Sequence, residues 1–159
     1  EAEVNEWIPP PQDFLEYQRQ KLFAQWFSCW SFVIIAAKAF LKLGRDDDAY
    51  EVAKVTVSPE EKTPKKTTLV PCHSILGQVA AKRGDLEEAE GHFANALNEA
   101  KLSRLPMLEL IAARDWKRHL LEPHGRDTSA VESTIDGACV RMEKTREQLG
   151  SVLASGGGA

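Results

Sequence analysis

Glycine stands at positions 44, 84 and 125, at separations of 40 and 41 residues, and an alanine follows five positions after each one, at Ala49, Ala89 and Ala130. Acidic or hydroxyl residues fill the space between, as in Gly84-Asp85-Leu86-Glu87-Glu88-Ala89. Glycine readily takes the left-handed backbone that ends a helix, and an Asp one or two positions on can cap the next. Alanine carries nothing beyond Cβ and lets two helices approach closely. Each site therefore predicts a tight antiparallel helix hairpin. A hairpin of this size cannot hide its apolar face alone, so three related copies predict a stack of about three.

The rest of the chain fits an all-α reading, since no segment alternates as a strand would. Residues 1–11 end in Pro9-Pro10-Pro11 and predict an extended arm. From Gln12 to Leu43 there is neither glycine nor proline, and apolar residues return at Leu22, Trp26, Trp30, Val33, Ala37 and Phe40 with helical spacing. A helix is expected from about Asp47 to Val57, then a proline-punctuated loop over Ser58 to Pro71. Further helices are expected over Cys72–Arg83, Leu86–Leu102, Pro106–Leu121 and Thr128–Leu153, followed by the flexible Ser-Gly tail of residues 154–159. The helical repeat domain thus spans 12–153.

Within the middle unit, His73 to Lys101, Leu76-Gly77 supplies a large and then a small residue in a first helix. Ala89, Phe93 and Ala96 supply small, aromatic and small residues in a second. With the Gly84-Asp85 turn between them, this stretch resembles a tetratricopeptide repeat. It departs from that pattern at His73, Ala80 and Lys101. The flanking units keep the glycine and alanine but place Ala53 and Thr134 at the aromatic position. The resemblance implies a short right-handed α-solenoid whose work is contact with another protein.

Composition narrows the function. A net charge of −4 over 159 residues, with 28% charged and 43% hydrophobic, provides no broad field for a phosphate backbone and excludes general nucleic-acid binding. Cys29, Cys72 and Cys139 lie far apart and read as reduced thiols of an intracellular compartment, cytoplasmic or organellar. The chain opens on Glu1 and not on methionine, which reads as a processed or excised form. The uncharged run from Leu22 to Ala37 is sixteen residues long, short of the ~20 a spanning helix needs, and reads as a buried helix. Its tryptophans, with Trp7, keep an interface reading open.

No catalytic motif is present. His119 and His124 are separated by Pro123, which breaks the register of a two-histidine metal face, and Cys72 and His73 are adjacent, so they point about 100° apart on a helix. No enzyme activity, metal or cofactor is expected. The groove positions that the resemblance implies fall, by the 40-residue offset, on Ile34, Lys38 and Lys42 in the first unit and on Ser74, Gln78 and Lys82 in the second. In the third they fall within the group Arg114, Trp116 and Arg118. The expected function is a non-catalytic scaffold or adaptor that holds an acidic or extended segment of a protein partner. The alternative is a subunit docked on a larger, membrane-bound organellar complex through the Trp7, Trp26 and Trp30 region, touching the membrane only through that complex.

Overall fold

The computed structural model describes residues 29–57, 66–144 and 147–150. Six α-helices occur there: α1 Cys29–Lys42, α2 Asp46–Val57, α3 Lys66–Arg83, α4 Leu86–Ser103, α5 Pro106–Trp116 and α6 Ser129–Arg141. A π-helical turn, Lys117–Leu121, continues α5, and no strand is found among the described residues. Each helix packs on the next along the chain. In addition α1 packs on α3 and α3 on α5, so these three alternate helices form a row.

The three glycines occupy equivalent bends, with φ of 70° at Gly44, 86° at Gly84 and 61° at Gly125. The hydrogen bonds around them repeat as well. Arg45 donates its N–H to the Phe40 carbonyl, Asp85 to Ala80 and Arg126 to Leu121, each across five residues, which closes a left-handed helix end. Neither α4 nor α6 has a side-chain cap at its N-cap position, Asp85 in one and Thr128 in the other. Asp127 instead accepts the Ser129 N–H at 2.9 Å.

Burial shows which helix faces meet. In α2 the buried set is Ala49, Val52, Ala53 and Thr56, and in α4 it is Ala89, Phe93, Ala96, Leu97 and Ala100. In α6 it is Val131, Ile135, Ala138 and Cys139, while Ala130 is exposed. The third seam is therefore one residue later than the glycine spacing predicts. The cause is local: α2 and α4 start two residues after their glycine, but α6 starts four after Gly125. A residue's face depends on its place in the helix. Val131, Ile135 and Ala138 correspond to Ala89, Phe93 and Ala96, and Ile135 rather than Thr134 fills the place of Phe93.

The apolar interior is a succession of clusters. One joins Val33, Ala37 and Phe40 of α1 to Ala49 and Val52 of α2 and to Ile75, Leu76 and Val79 of α3. A second gathers Ala80, Ala81, Ala89, Phe93 and Leu120. The third spans Val70, Leu97, Leu110, Ala113, Val131 and Ile135. Between α3 and α4 the fit is tight: a Cβ on Gly77 would lie 2.9 Å from the Phe93 ring. The small residue opposite the aromatic one is what allows these two helices to close.

Three boundaries differ from expectation. Helix α3 begins at Lys66 and runs through Pro71, where a loop was expected. Proline costs a helix one hydrogen bond, but the extra turns bury Thr68 and bring Val70 into the third cluster, and that burial decides the outcome. The helix expected to run to Leu121 widens into the π turn, in which Glu122 donates to the Lys117 carbonyl at 2.9 Å. Helix α6 ends at Arg141 with no glycine nearby. Glu143 itself adopts φ 55°, Lys144 donates to the Cys139 carbonyl, and Leu149 returns to the core. The expected arm of residues 1–11, the helical turns before Cys29 and the tail lie outside the described residues.

Candidate functional site: a basic concavity across α1, α3 and α5

The same face of each helix in the α1, α3, α5 row contributes to one open concavity of about 330 Å³. Helix α1 supplies Lys38, Leu41 and Lys42, which lie three or four residues apart on successive turns. Helix α3 supplies Pro71, Ser74, Ile75, Gln78 and Lys82 with the same periodicity. Helix α5 and its π turn supply Ile111, Arg114, Asp115, Arg118 and His119. The π turn lets adjacent Leu120 and Leu121 enter two different apolar clusters while Arg118 and His119 remain on the concavity.

Seven of the residues singled out in the sequence come together here: Lys38, Lys42, Ser74, Gln78, Lys82, Arg114 and Arg118. Trp116 does not line the concavity. It packs against two apolar clusters, with its indole N–H buried and without a hydrogen-bond partner among the described residues, because the residue between Asp115 and Lys117 falls on the inner face of α5. Ile34 likewise packs against the first cluster. Trp7, Trp26 and the side chain of Trp30 lie outside the described residues. Sequence reasoning missed the apolar floor of Leu41, Ile75 and Ile111, whose signal is the apolar residue one turn away from each basic one.

Among the described residues, five cations line the concavity against a single carboxylate, Asp115, in a chain whose net charge is negative. Arg114 and Lys82 each have a carboxylate of this chain. The Arg114 Nε donates to Asp115 at 2.8 Å, and Lys82 donates to Asp46 at 2.7 Å. Lys38 and Lys42 have no carboxylate partner among the described residues. Burial holds His119 below its ordinary pKa; nearby Asp115 pulls it up, while Arg118, Arg114 and Lys82 push it further down. Its neutral form is thus the favoured one. Ser74 is 2% exposed, and its hydroxyl has no hydrogen-bond partner among the described residues.

A second polar cluster links α2, α3 and α4. The Tyr50 hydroxyl donates to Glu88 at 2.7 Å, Glu88 lies 3.6 Å from His92 Nε2, and His92 Nδ1 is 3.2 Å from His73 Nδ1. Burial, followed by the neighbouring His92, lowers His73 to about 4, and burial also lowers His92 against the pull of Glu88. Both rings favour the neutral state, so one can donate and the other accept. Burial pushes the adjacent Cys72 thiol up to about 11, which removes the thiolate a nucleophile needs.

Among the described residues, no group of three or more His, Cys, Asp or Glu side chains is arranged to hold a metal ion. No described helix is long and apolar enough to cross a membrane. No protein-family model matches the chain, and comparisons with curated proteins and with solved structures find no similar protein.

Proposed function

We propose that the chain is a tetratricopeptide-like adaptor, a short right-handed α-solenoid of antiparallel hairpins that holds an acidic, extended segment of a partner protein along the α1, α3, α5 row. The observation that carries this reading is the concavity itself, where one face of three alternating helices concentrates five cations in an acidic chain. Repeated glycine bends and the matching buried positions of α2, α4 and α6 support the solenoid. Such a surface acts by being preformed: binding does not have to order it first, and its charge steers an acidic partner.

The test is binding of the full chain to acidic peptides in low and high salt. Wild type is expected to bind with an affinity that falls as salt rises, and Lys38→Glu with Lys42→Glu is expected to abolish binding while the helical circular dichroism is kept. Binding unaffected by this double change would reject the concavity as the site.

A second reading has its own observation. Phe32 and Ile35 of α1 are 51% and 62% exposed, on the helix that continues the tryptophan-rich stretch. Two large apolar side chains one turn apart would suit a subunit docked on a larger complex. Co-purification of the native chain with such a complex, lost on Phe32→Ser with Ile35→Ser, would select that reading.

A further inference from the structure

We propose that the corner between α4 and α5 docks on an anionic lipid surface, with Leu102, Leu105 and Met107 entering the interface and Lys101 and Arg104 meeting headgroup phosphates. None of these residues lines the concavity, and the inference does not depend on the groove reading.

Two local rules are broken at this corner. At the three hairpin bends the left-handed residue is glycine, but here it is Arg104, with φ 55°. A helix start commonly carries Ser, Thr, Asp or Asn, yet the N-cap of α5 is Leu105, which offers no side-chain cap bond. Both departures run the same way: a cation stands where glycine fits best, and an apolar side chain stands where a polar one would cap. Departures of this kind concentrate where a chain does its work. The outcome is a tip on which Leu102, Leu105 and Met107 are 55%, 45% and 38% exposed.

The end of α6 extends the patch. Arg141 reaches from the last turn of α6 to Glu109 in the first turn of α5 at 2.6 Å, which brings Val140, 76% exposed, to the same end of the helices. Among the described residues, Leu102, Leu105, Met107 and Val140 are four of the six large apolar side chains left exposed; Phe32 and Ile35 of α1 are the others. A single exposed Leu means little, whereas a group gathered at one end marks a contact surface.

Charge selects the occupant. No Asp or Glu occurs from Ala100 to Leu108, and Lys101 and Arg104 have no carboxylate partner among the described residues. The acidic residues of this end, Glu99 on α4 and Glu143 beyond α6, stand outside that segment. A protein partner would have to supply a pocket for each protruding side chain. A bilayer interface supplies phosphates and hydrocarbon side by side and needs no matching shape. Long basic side chains can reach to the phosphates while the leucines enter beneath them.

The experiment is co-sedimentation of the full chain with vesicles of phosphatidylcholine alone and of phosphatidylcholine with added phosphatidylserine, at low and moderate salt. Binding is expected on the serine-containing vesicles and is expected to fall as salt rises. Leu102→Ser with Leu105→Ser should weaken it roughly tenfold or more, and Lys101→Gln with Arg104→Asn roughly tenfold. Neither pair should lower Tm, because Ser is a favoured N-cap and Asn tolerates the left-handed region. No binding to either vesicle at low salt would overturn the proposal. Equal binding to both would overturn it as well, since charge would not be selecting the surface. Loss of binding on Lys38→Glu with Lys42→Glu, but not on the corner changes, would move the lipid contact to the concavity and reject the corner. A dimer that Leu102→Ser with Leu105→Ser turns into a monomer, without vesicle binding, would reassign the patch to a second copy of the chain.

Discussion

His73 and His92 face each other across the α3–α4 pair, Nδ1 to Nδ1 at 3.2 Å, with ring centroids 5.4 Å apart. Two imidazoles so placed cannot both be charged without repulsion. In the unfolded chain His73 titrates near 6.5, while burial holds it near 4 in the folded one. Between these values the unfolded state binds the extra proton, so stability is complete above about pH 6.5 and declines as pH falls toward 4. The expected loss is on the order of 2 kcal/mol after allowance for partial exposure. Urea midpoints at pH 7 and pH 5 check it, and His73→Phe should flatten the difference.

Gly77→Ala should destabilise the chain by about 1–3 kcal/mol, because its new Cβ meets the Phe93 ring at 2.9 Å. Combining it with Phe93→Leu should cost less than the two single changes together, since the smaller side chain makes room. Denaturant unfolding of the four proteins reads this coupling directly. A sum of the single effects would mean that the two residues do not oppose each other.

Alanines at the same distance from a glycine should respond differently. Ala89 is fully buried, so Ala89→Leu should overpack its seam at a cost of about 1–3 kcal/mol. Ala130 is exposed, and Ala130→Leu should stay within about 0.5 kcal/mol of wild type. Thermal melts decide between this register and one set by the glycine spacing, in which both substitutions would hurt alike.

Two ion pairs test the weight of burial. Glu109 is 8% exposed and pairs with Arg141 at 2.6 Å, so Arg141→Ala leaves a buried carboxylate without its cation and should cost about 1–3 kcal/mol. Arg126 pairs with Glu90 at the same distance in solvent, and Arg126→Ala should cost less than about 1 kcal/mol. Moderate salt should shrink the second effect more than the first.

Cys72 should resist alkylation. Its thiol is fully buried and pushed up to about 11, so iodoacetamide at pH 8 should label it only at the rate of unfolding. Mass spectrometry with and without urea separates the two regimes. Rapid labelling of the native chain would contradict the burial.

The bends were legible in the sequence because glycine at a left-handed position has few substitutes, and Gly44, Gly84 and Gly125 all carry that geometry. The seam of α6 was not, because two extra residues before Ser129 rotate the helix relative to its glycine. Helix α3 starts early for a reason no local rule contains: Val70 is needed in a cluster formed mainly by residues far along the chain. At the concavity, helical spacing placed the basic residues of α1 and α3 on one face. The depth of Ser74 depends on how closely α1 and α5 flank α3, which a one-dimensional pattern does not encode. Trp116 was misplaced for the related reason that the neighbouring Arg114 and Arg118 face the concavity while it turns to the core.

At Glu143 the chain repeats the geometry of the glycine bends with a residue that resists it. A side chain held in the left-handed region has to be kept there from outside, and the return of Leu149 to the interior supplies that hold. The three glycine bends can form as soon as their helices do, whereas this one has to wait for its anchor. On heating, the last corner should therefore let go first, fraying from the carboxyl side while the glycine corners still hold their shape.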